Sequence, residues 1–161
     1  MTSHSPDLSA RVLDRIDRVA AAQWDACLAG ESGHVENPFV SHAFLDALEQ
    51  SRSVGRGTGW LPQHLVIEDG AGNLAAAAPL YVKSHSQGEY VFDHAWADAY
   101  DRAGGRYYPK LQVAAPFSPV PGPRLLVRAG PFAEQARAAL IAALISAVEN
   151  SGMSSLHVTF A

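Results

Sequence analysis

A single cysteine, Cys27, stands in 161 residues. That excludes an internal disulfide framework and suits a reducing compartment. No apolar run reaches the roughly 18 residues that a membrane helix needs. The amino-terminal MTSHSPDLSARVLDRID lacks the apolar centre of a signal peptide. No HExxH and no paired Cys/His spacing occurs, and the seven histidines are scattered, so no metal is expected. Internal repeats and low-complexity tracts are lacking too. Charge is modest at −4, which marks neither a DNA-binding nor a membrane-surface protein. The expected setting is cytoplasmic.

What is present is the composition of one globular domain. Apolar residues make up 48% and charged residues 17%, enough to build a core at this length. Residues 1–9 read as a disordered tail and 10–161 as the folded lobe. ARVLDRIDRV (10–19) is expected as a first strand, and VAAAQWDACLAG (19–30) as a helix with Trp24 and Leu28 on one face. Cys27 falls within that apolar helix, as a packed residue rather than a nucleophile. ESGHVENP is a loop. In SHAFLDALEQS (41–51), Ser41 caps a helix whose stripe is Phe44, Leu45 and Leu48. HLVIED (64–69) and LAAAAPLYV (74–82) flank GAGN as a hairpin. GRGTG (55–59) has the glycines of a phosphate loop but neither the preceding strand nor the following Lys-Ser/Thr, so it reads as a flexible turn.

Segment 88–104, GEYVFDHAWADAYDRAG, is expected to be mainly helical. Strands are expected in PKLQVAAPF and RLLVR, separated by the proline-rich SPVPGP, a rigid turn or a cleft rim. AEQARAALIAALISAVEN (133–150) is the clearest helix, with Leu140, Leu144 and Val148 at i+4 intervals. SSLHVTFA closes the chain as a strand. The order β-α-α-β-β-(α)-β-α-β implies an α/β (α+β) fold, a mixed β-sheet flanked by helices. The last helix acts as a crossover, with strand 156–160 parallel to the strand before it. An exposed apolar patch is expected near His157, Thr159 and the sheet edge.

The chemistry concentrates in KSHSQGEYVFDHAWADAYDRAGGRYYPK (83–110), which mixes carboxylates, histidines and six aromatic residues. On a helix, Glu89, Asp93, Trp96 and Tyr100 share one face. Acyl transfer to an amine needs a base and an oxyanion donor. Glu89 or Asp93 fits the first role, and Tyr107, Tyr108 or Lys110 the second. Tyr90 and Trp96 would line an acceptor groove, with segment 85–110, including His85, facing the strand from Leu111 to Phe117. The plainer reading is a helix with an aromatic core face and a solvated acidic face.

NPFVSHAFLDALEQS (37–51), GTGWLPQHLVIED (57–69), APLYVKSHSQGEYVFDHAWADAY (78–100) and GGRYYPKLQVAAPFSPVPGPRLL (104–126) resemble the FemAB-like, peptidoglycan-biosynthesis-like family of predicted bacterial N-acyltransferases in the GNAT superfamily. The resemblance covers roughly residues 20–161. It implies a partial GNAT-like fold, the amino-terminal lobe of a two-lobe protein. It further implies transfer of an acyl or aminoacyl group to a small-molecule or peptide amine. The donor is acyl-CoA or aminoacyl-tRNA, with no tightly bound cofactor and tRNA present only as donor. A catalytically silent binding lobe is the alternative. A second lobe or a second copy is the implied partner. GNAT enzymes hold the CoA pyrophosphate on a Q/R-x-x-G-x-G/A loop, and LLVRAGPFAEQ (125–135) supplies Arg128 and Gly130 there. Pro131 removes one N–H donor and the glycine pattern is incomplete.

Overall fold

A computed structural model describes residues 7–30 and 37–161. Its strands are β1 (Leu8–Leu13), β2 (Trp60–Pro62), β3 (His64–Asp69), β4 (Leu74–Ala78), β5 (Leu80–Lys83), β6 (Lys110–Val113), β7 (Leu126–Val127) and β8 (Leu156–Val158). Its helices are α1 (Ala21–Ala29), α2 (His42–Gln50), α3 (His94–Arg102) and α4 (Ala133–Ser151). The tail expected over 1–9 and the loop expected over 31–38 lie largely outside the described residues. Within their described parts, Leu8 and Ser9 already pair in β1, and Pro38 opens a short 3-10 turn.

The fold is α/β, with two four-stranded sheets flanked by helices. One has the order β1-β3-β4-β7 and the other β2-β5-β6-β8. The expected single strand over 74–82 is broken. Pro79 has no N–H to give a ladder, and the chain leaves one sheet as β4 and enters the other as β5. The first strand is also displaced, ending at Leu13 because Ile16–Arg18 turns as a 3-10 helix. Strand β8 is parallel to β6, not to β7, the strand that precedes α4. Strand β7 pairs instead with β4 in the first sheet, so α4 carries the chain from one sheet to the other.

Side-chain alternation divides the core. Val66, Leu74, Ala77 and Leu126 face α1 and α2, where Trp24, Cys27, Leu28 and Leu45 pack. Leu65, Ile67, Ala76, Ala78 and Val127 face α4 together with Leu80, Leu111 and Val113 of the second sheet. Local chemistry agrees with these placements. The Ser41 hydroxyl accepts from the Phe44 N–H at 3.3 Å to cap α2. The Trp24 indole donates to the Val40 carbonyl at 2.9 Å. Asp69 accepts from the N–H groups of Ala71 and Asn73 to close the β3–β4 turn, and those bonds hold its pKa below the usual value. Gly152 ends α4 in the left-handed region at φ 69°. Cys27 is packed, and burial pushes its thiol up to about 11, which suppresses the reactive thiolate.

The proline-rich turn before β7 is pinned rather than open. Arg124 is buried, and its guanidinium donates to the carbonyls of Val120, Gly122, Pro123 and Thr159. In β8, Leu156 and His157 are half-buried and Val158 is 43% exposed.

Leu140 is fully buried, whereas its neighbour Ile141 is 41% exposed. Leu140→Ala is therefore expected to cost about 2–5 kcal/mol through lost packing and a residual cavity. Ile141→Ala is expected to stay within about 0.5 kcal/mol of the parent. Denaturant unfolding of both variants checks the contrast, and equal losses would contradict this division of the α4 surface.

Candidate functional site

Pairing register creates an electrostatic problem in the second sheet. Strands β5 and β6 run antiparallel with Lys83 directly opposite Lys110. Both side chains are fully buried. Two facing ammonium groups out of water repel one another and lose hydration. The chain solves this with the segment after β5, which folds back over the two lysines.

Glu89 bridges the pair. Its Oε2 accepts from Lys110 Nζ at 2.9 Å, and its Oε1 lies 3.9 Å from Lys83 Nζ. Asp93 Oδ2 accepts a short hydrogen bond from the same Lys110 ammonium. The third Lys110 direction meets His157 Nδ1 on β8 at 3.5 Å. An ammonium has three donors, and Lys110 finds three acceptors. Lys83 donates to the Gln87 carbonyl at 3.1 Å and sits 3.6 Å over the Trp60 ring centroid.

Burial and pairing set the protonation states. Burial lowers the Lys83 pKa to about 8. It also raises the Glu89 pKa above its ordinary value, in spite of Lys110. Burial works against the Asp93 carboxylate, but hydrogen bonds from Lys110 and Tyr107 outweigh it and hold that pKa low. Burial likewise opposes the Lys110 ammonium, and its two carboxylates more than offset the effect. His157 is lowered by burial and by Lys110, so its imidazole is neutral at pH 7. With Nδ1 accepting from Lys110, the imidazole proton belongs on Nε2. Burial and Asp93 raise the Tyr107 phenol.

The expected helix over 88–104 is corrected here. Only His94–Arg102 is helical. Gly88 at φ 80° and Tyr90 at φ 57° turn the chain before it. Glu89 therefore reaches the lysines from a turn, and Asp93 from the residue that opens α3. The shared helical face of Glu89, Asp93, Trp96 and Tyr100 does not form. Nor does α3 have an aromatic core face: none of its residues is buried, and Trp96 is 73% exposed. Nor does a cleft separate the start of segment 85–110 from Leu111–Phe117. The Phe117 N–H donates to the Gly88 carbonyl at 3.2 Å. A Cβ on Gly88 would come within 2.6 Å of the Phe117 ring, so glycine permits this approach.

Of the residues singled out in the sequence, the structure brings together Glu89, Asp93, Tyr107, Tyr108 and Lys110. Lys110 Nζ lies 5.6 Å from the ring centroids of both tyrosines. The Tyr108 hydroxyl is buried beside Ser86. Tyr90 and Trp96 stand in solvent. His85 lies apart on the wall of a separate groove. Arg128 and Gly130 line a small cavity of about 130 Å³ at the start of α4, shared with Asp69 and Phe132. The functional reading of the sequence missed Lys83 and His157. Their signal was strand alternation: a lysine after Leu-Tyr-Val and a histidine between Leu156 and Val158 sit on the polar face of otherwise apolar strands.

Among the described residues no group of three or more His, Cys, Asp or Glu side chains is arranged to hold a metal. No helix there is long and apolar enough to cross a membrane.

The low Lys83 pKa has a definite consequence. Between about 8 and the ordinary lysine value the unfolded chain binds more protons than the native one, so this group makes stability rise with pH. Replacement by Lys83→Met removes that contribution. Over pH 8–9.5, the difference in unfolding free energy between parent and variant is expected to shift steadily in favour of the parent as pH increases. A pH-independent difference would contradict the buried, perturbed lysine.

The sequence matches the FemAB-like family, described as peptidoglycan biosynthesis/recognition, over residues 15–161. No curated relative matches. Among solved structures, an acetyltransferase from Trypanosoma brucei is similar at 16% identity and a TM-score of 0.49, covering 96% of this chain and 84% of that one. The match across nearly the whole length places this chain in the FemAB-like family.

Proposed function

We propose that the protein takes part in acyl transfer to an amine-bearing peptidoglycan precursor, with the solvent-facing end of the lysine cluster as its acceptor face. The carrying observation is a gradient of access. The side chains of Lys83, Lys110 and Glu89 are sealed, whereas Asp93 is 8% and His157 31% exposed. Only that end, flanked by Tyr107, can touch a substrate. Membership of a family described as peptidoglycan biosynthesis/recognition supports this reading.

Each exposed group then has a role. Asp93 keeps its charge and attracts the acceptor ammonium, which releases one proton to solvent and reacts as the free amine. As the amine nitrogen attacks the donor carbonyl, its proton becomes acidic and Asp93 accepts it. The developing oxyanion needs a donor, and the neutral His157 carries an N–H on Nε2. The C–N bond forms, the bond to the donor's leaving group breaks, and the proton held by Asp93 passes to that leaving group. Glu89 does not reach the acceptor; it is a positioning residue that balances the two lysines. Acyl-CoA and aminoacyl-tRNA both fit this chemistry. Exposed Tyr90, Phe92 and Trp96 give a second lobe or a second copy an apolar surface beside the site.

One observation favours a second reading, a recognition lobe without turnover. Both carboxylates are already engaged by Lys110, which leaves little free basicity for the acceptor. An assay of the protein with an amine-bearing stem peptide, offered acyl-CoA and aminoacyl-tRNA in parallel, separates the readings. Transfer is expected with one donor. Asp93→Asn and His157→Ala are each expected to lower turnover on the order of 100-fold in protein that is still folded at the assay temperature, Asp93→Asn with a lowered Tm because it leaves buried Lys110 with one carboxylate fewer. Peptide binding without transfer from either donor would establish the recognition reading instead.

A further inference from the structure

The opposite face of β5 carries a different feature. Val82 and Ser84 line a groove of about 890 Å³, while Lys83 between them turns to the cluster. The groove is walled by the end of α2, by the loop 55–59 and by residues just after β1. Its charged or titratable lining comprises Asp14, Arg15, Glu49, Arg52, Arg56 and His85.

The acids in that lining are already matched. Asp14 pairs with Arg18 at 3.4 Å. Glu49 accepts the Ile16 N–H at 3.0 Å and pairs with buried His64 at 2.9 Å. Arg15 is taken by Asp17. Arg52 and Arg56 are different. Both are exposed, and among the described residues neither guanidinium has a hydrogen bond or an ion pair. Two unpaired arginines on one concavity form a positive site without its counter-ion.

The loop GRGTG adds backbone donors. Gly55, Gly57 and Gly59 have φ of 131°, 82° and 81°, backbone conformations that favour glycine and keep side chains out of the groove wall. The Gly55 and Thr58 N–H groups are used within the loop, on Trp60 and Gly55 carbonyls. Those of Arg56 and Gly57 find no partner among the described residues. At Gly59 a Cβ would come within 2.0 Å of His85 Nε2, so this glycine exists to let the imidazole lie against the loop. His85 Nδ1 accepts the Gln87 N–H at 3.2 Å, which places its remaining proton on Nε2, at the groove.

We infer that this groove binds the oxyanion group, phosphate or carboxylate, of a small ligand, through Arg52, Arg56 and the 55–59 loop. The volume exceeds that of a lone phosphate or carboxylate, so the anion is one end of a larger molecule. The inference does not rest on the acyl-transfer reading, because none of Lys83, Glu89, Asp93, Lys110 and His157 lines the groove.

Titration calorimetry with pyrophosphate and with citrate tests it directly, at low salt on the intact chain. One-to-one binding is expected for at least one probe, weakened about tenfold or more in Arg52→Gln/Arg56→Gln through loss of charge-assisted hydrogen bonds. Tighter pyrophosphate binding assigns a phosphate ligand, and tighter citrate binding a carboxylate. Arg102→Gln/Arg106→Gln, exposed at the end of α3 and in the loop after it, is the control and should bind as the parent does. Melting curves verify that all variants are folded. Lack of binding by both probes, or equal losses in the two double variants, would overturn the inference.

Discussion

Everything around the polar half of the second sheet follows from Lys83 facing Lys110 across an antiparallel pair. Buried like charges in register are unfavourable, and removing water makes them more so. Glu89 and Asp93 bring the local charge into balance, and they do so from a segment with no regular structure between Ser84 and Asp93. The conformation of that segment is dictated by where its carboxylates must go. Gly88 presses against Phe117 so that Glu89 can reach down, and α3 starts where Asp93 has made its contact. The helix that follows has no buried residue.

The same constraint shapes the chemistry. Lys110 uses all three of its protons on Glu89, Asp93 and His157, and so couples β6, the covering segment and β8 through one atom. Burial lowers the His157 pKa and Lys110 adds to that effect, while hydrogen bonds from Lys110 and Tyr107 hold the Asp93 pKa low against burial. Membership of the FemAB-like family gives this arrangement a chemical context in peptidoglycan biosynthesis or recognition.

Much of this was legible in the residues. The α4 repeat, the Ser41 cap, the 64–78 hairpin and the packed Cys27 follow from spacing and local chemistry. Segment 83–110 stood out as the place where chemistry concentrates, and five of its singled-out residues do meet. The errors have a common physical origin. A 3.6-residue pattern through 88–104 extends the helix six residues too far toward the amino terminus, because the pull of two buried lysines is not local. Pro79 was visible as a ladder breaker, but sheet exchange depends on packing of α4 against both sheets. The parallel partner of β8 is likewise decided by Leu111, Val113 and Leu156 sharing the α4 face. That Lys83 is buried opposite Lys110 shows only once the register of β5 and β6 is known.

The central claim is that Lys110 and Glu89 are one structural unit rather than neighbours by coincidence. A double-mutant cycle on unfolding free energy measures this, using Lys110→Met, Glu89→Gln and the pair at pH 7. A buried, hydrogen-bonded pair predicts a coupling of about 1–3 kcal/mol, with the double variant less destabilised than the sum of the singles. Additive effects within about 0.3 kcal/mol would contradict the account.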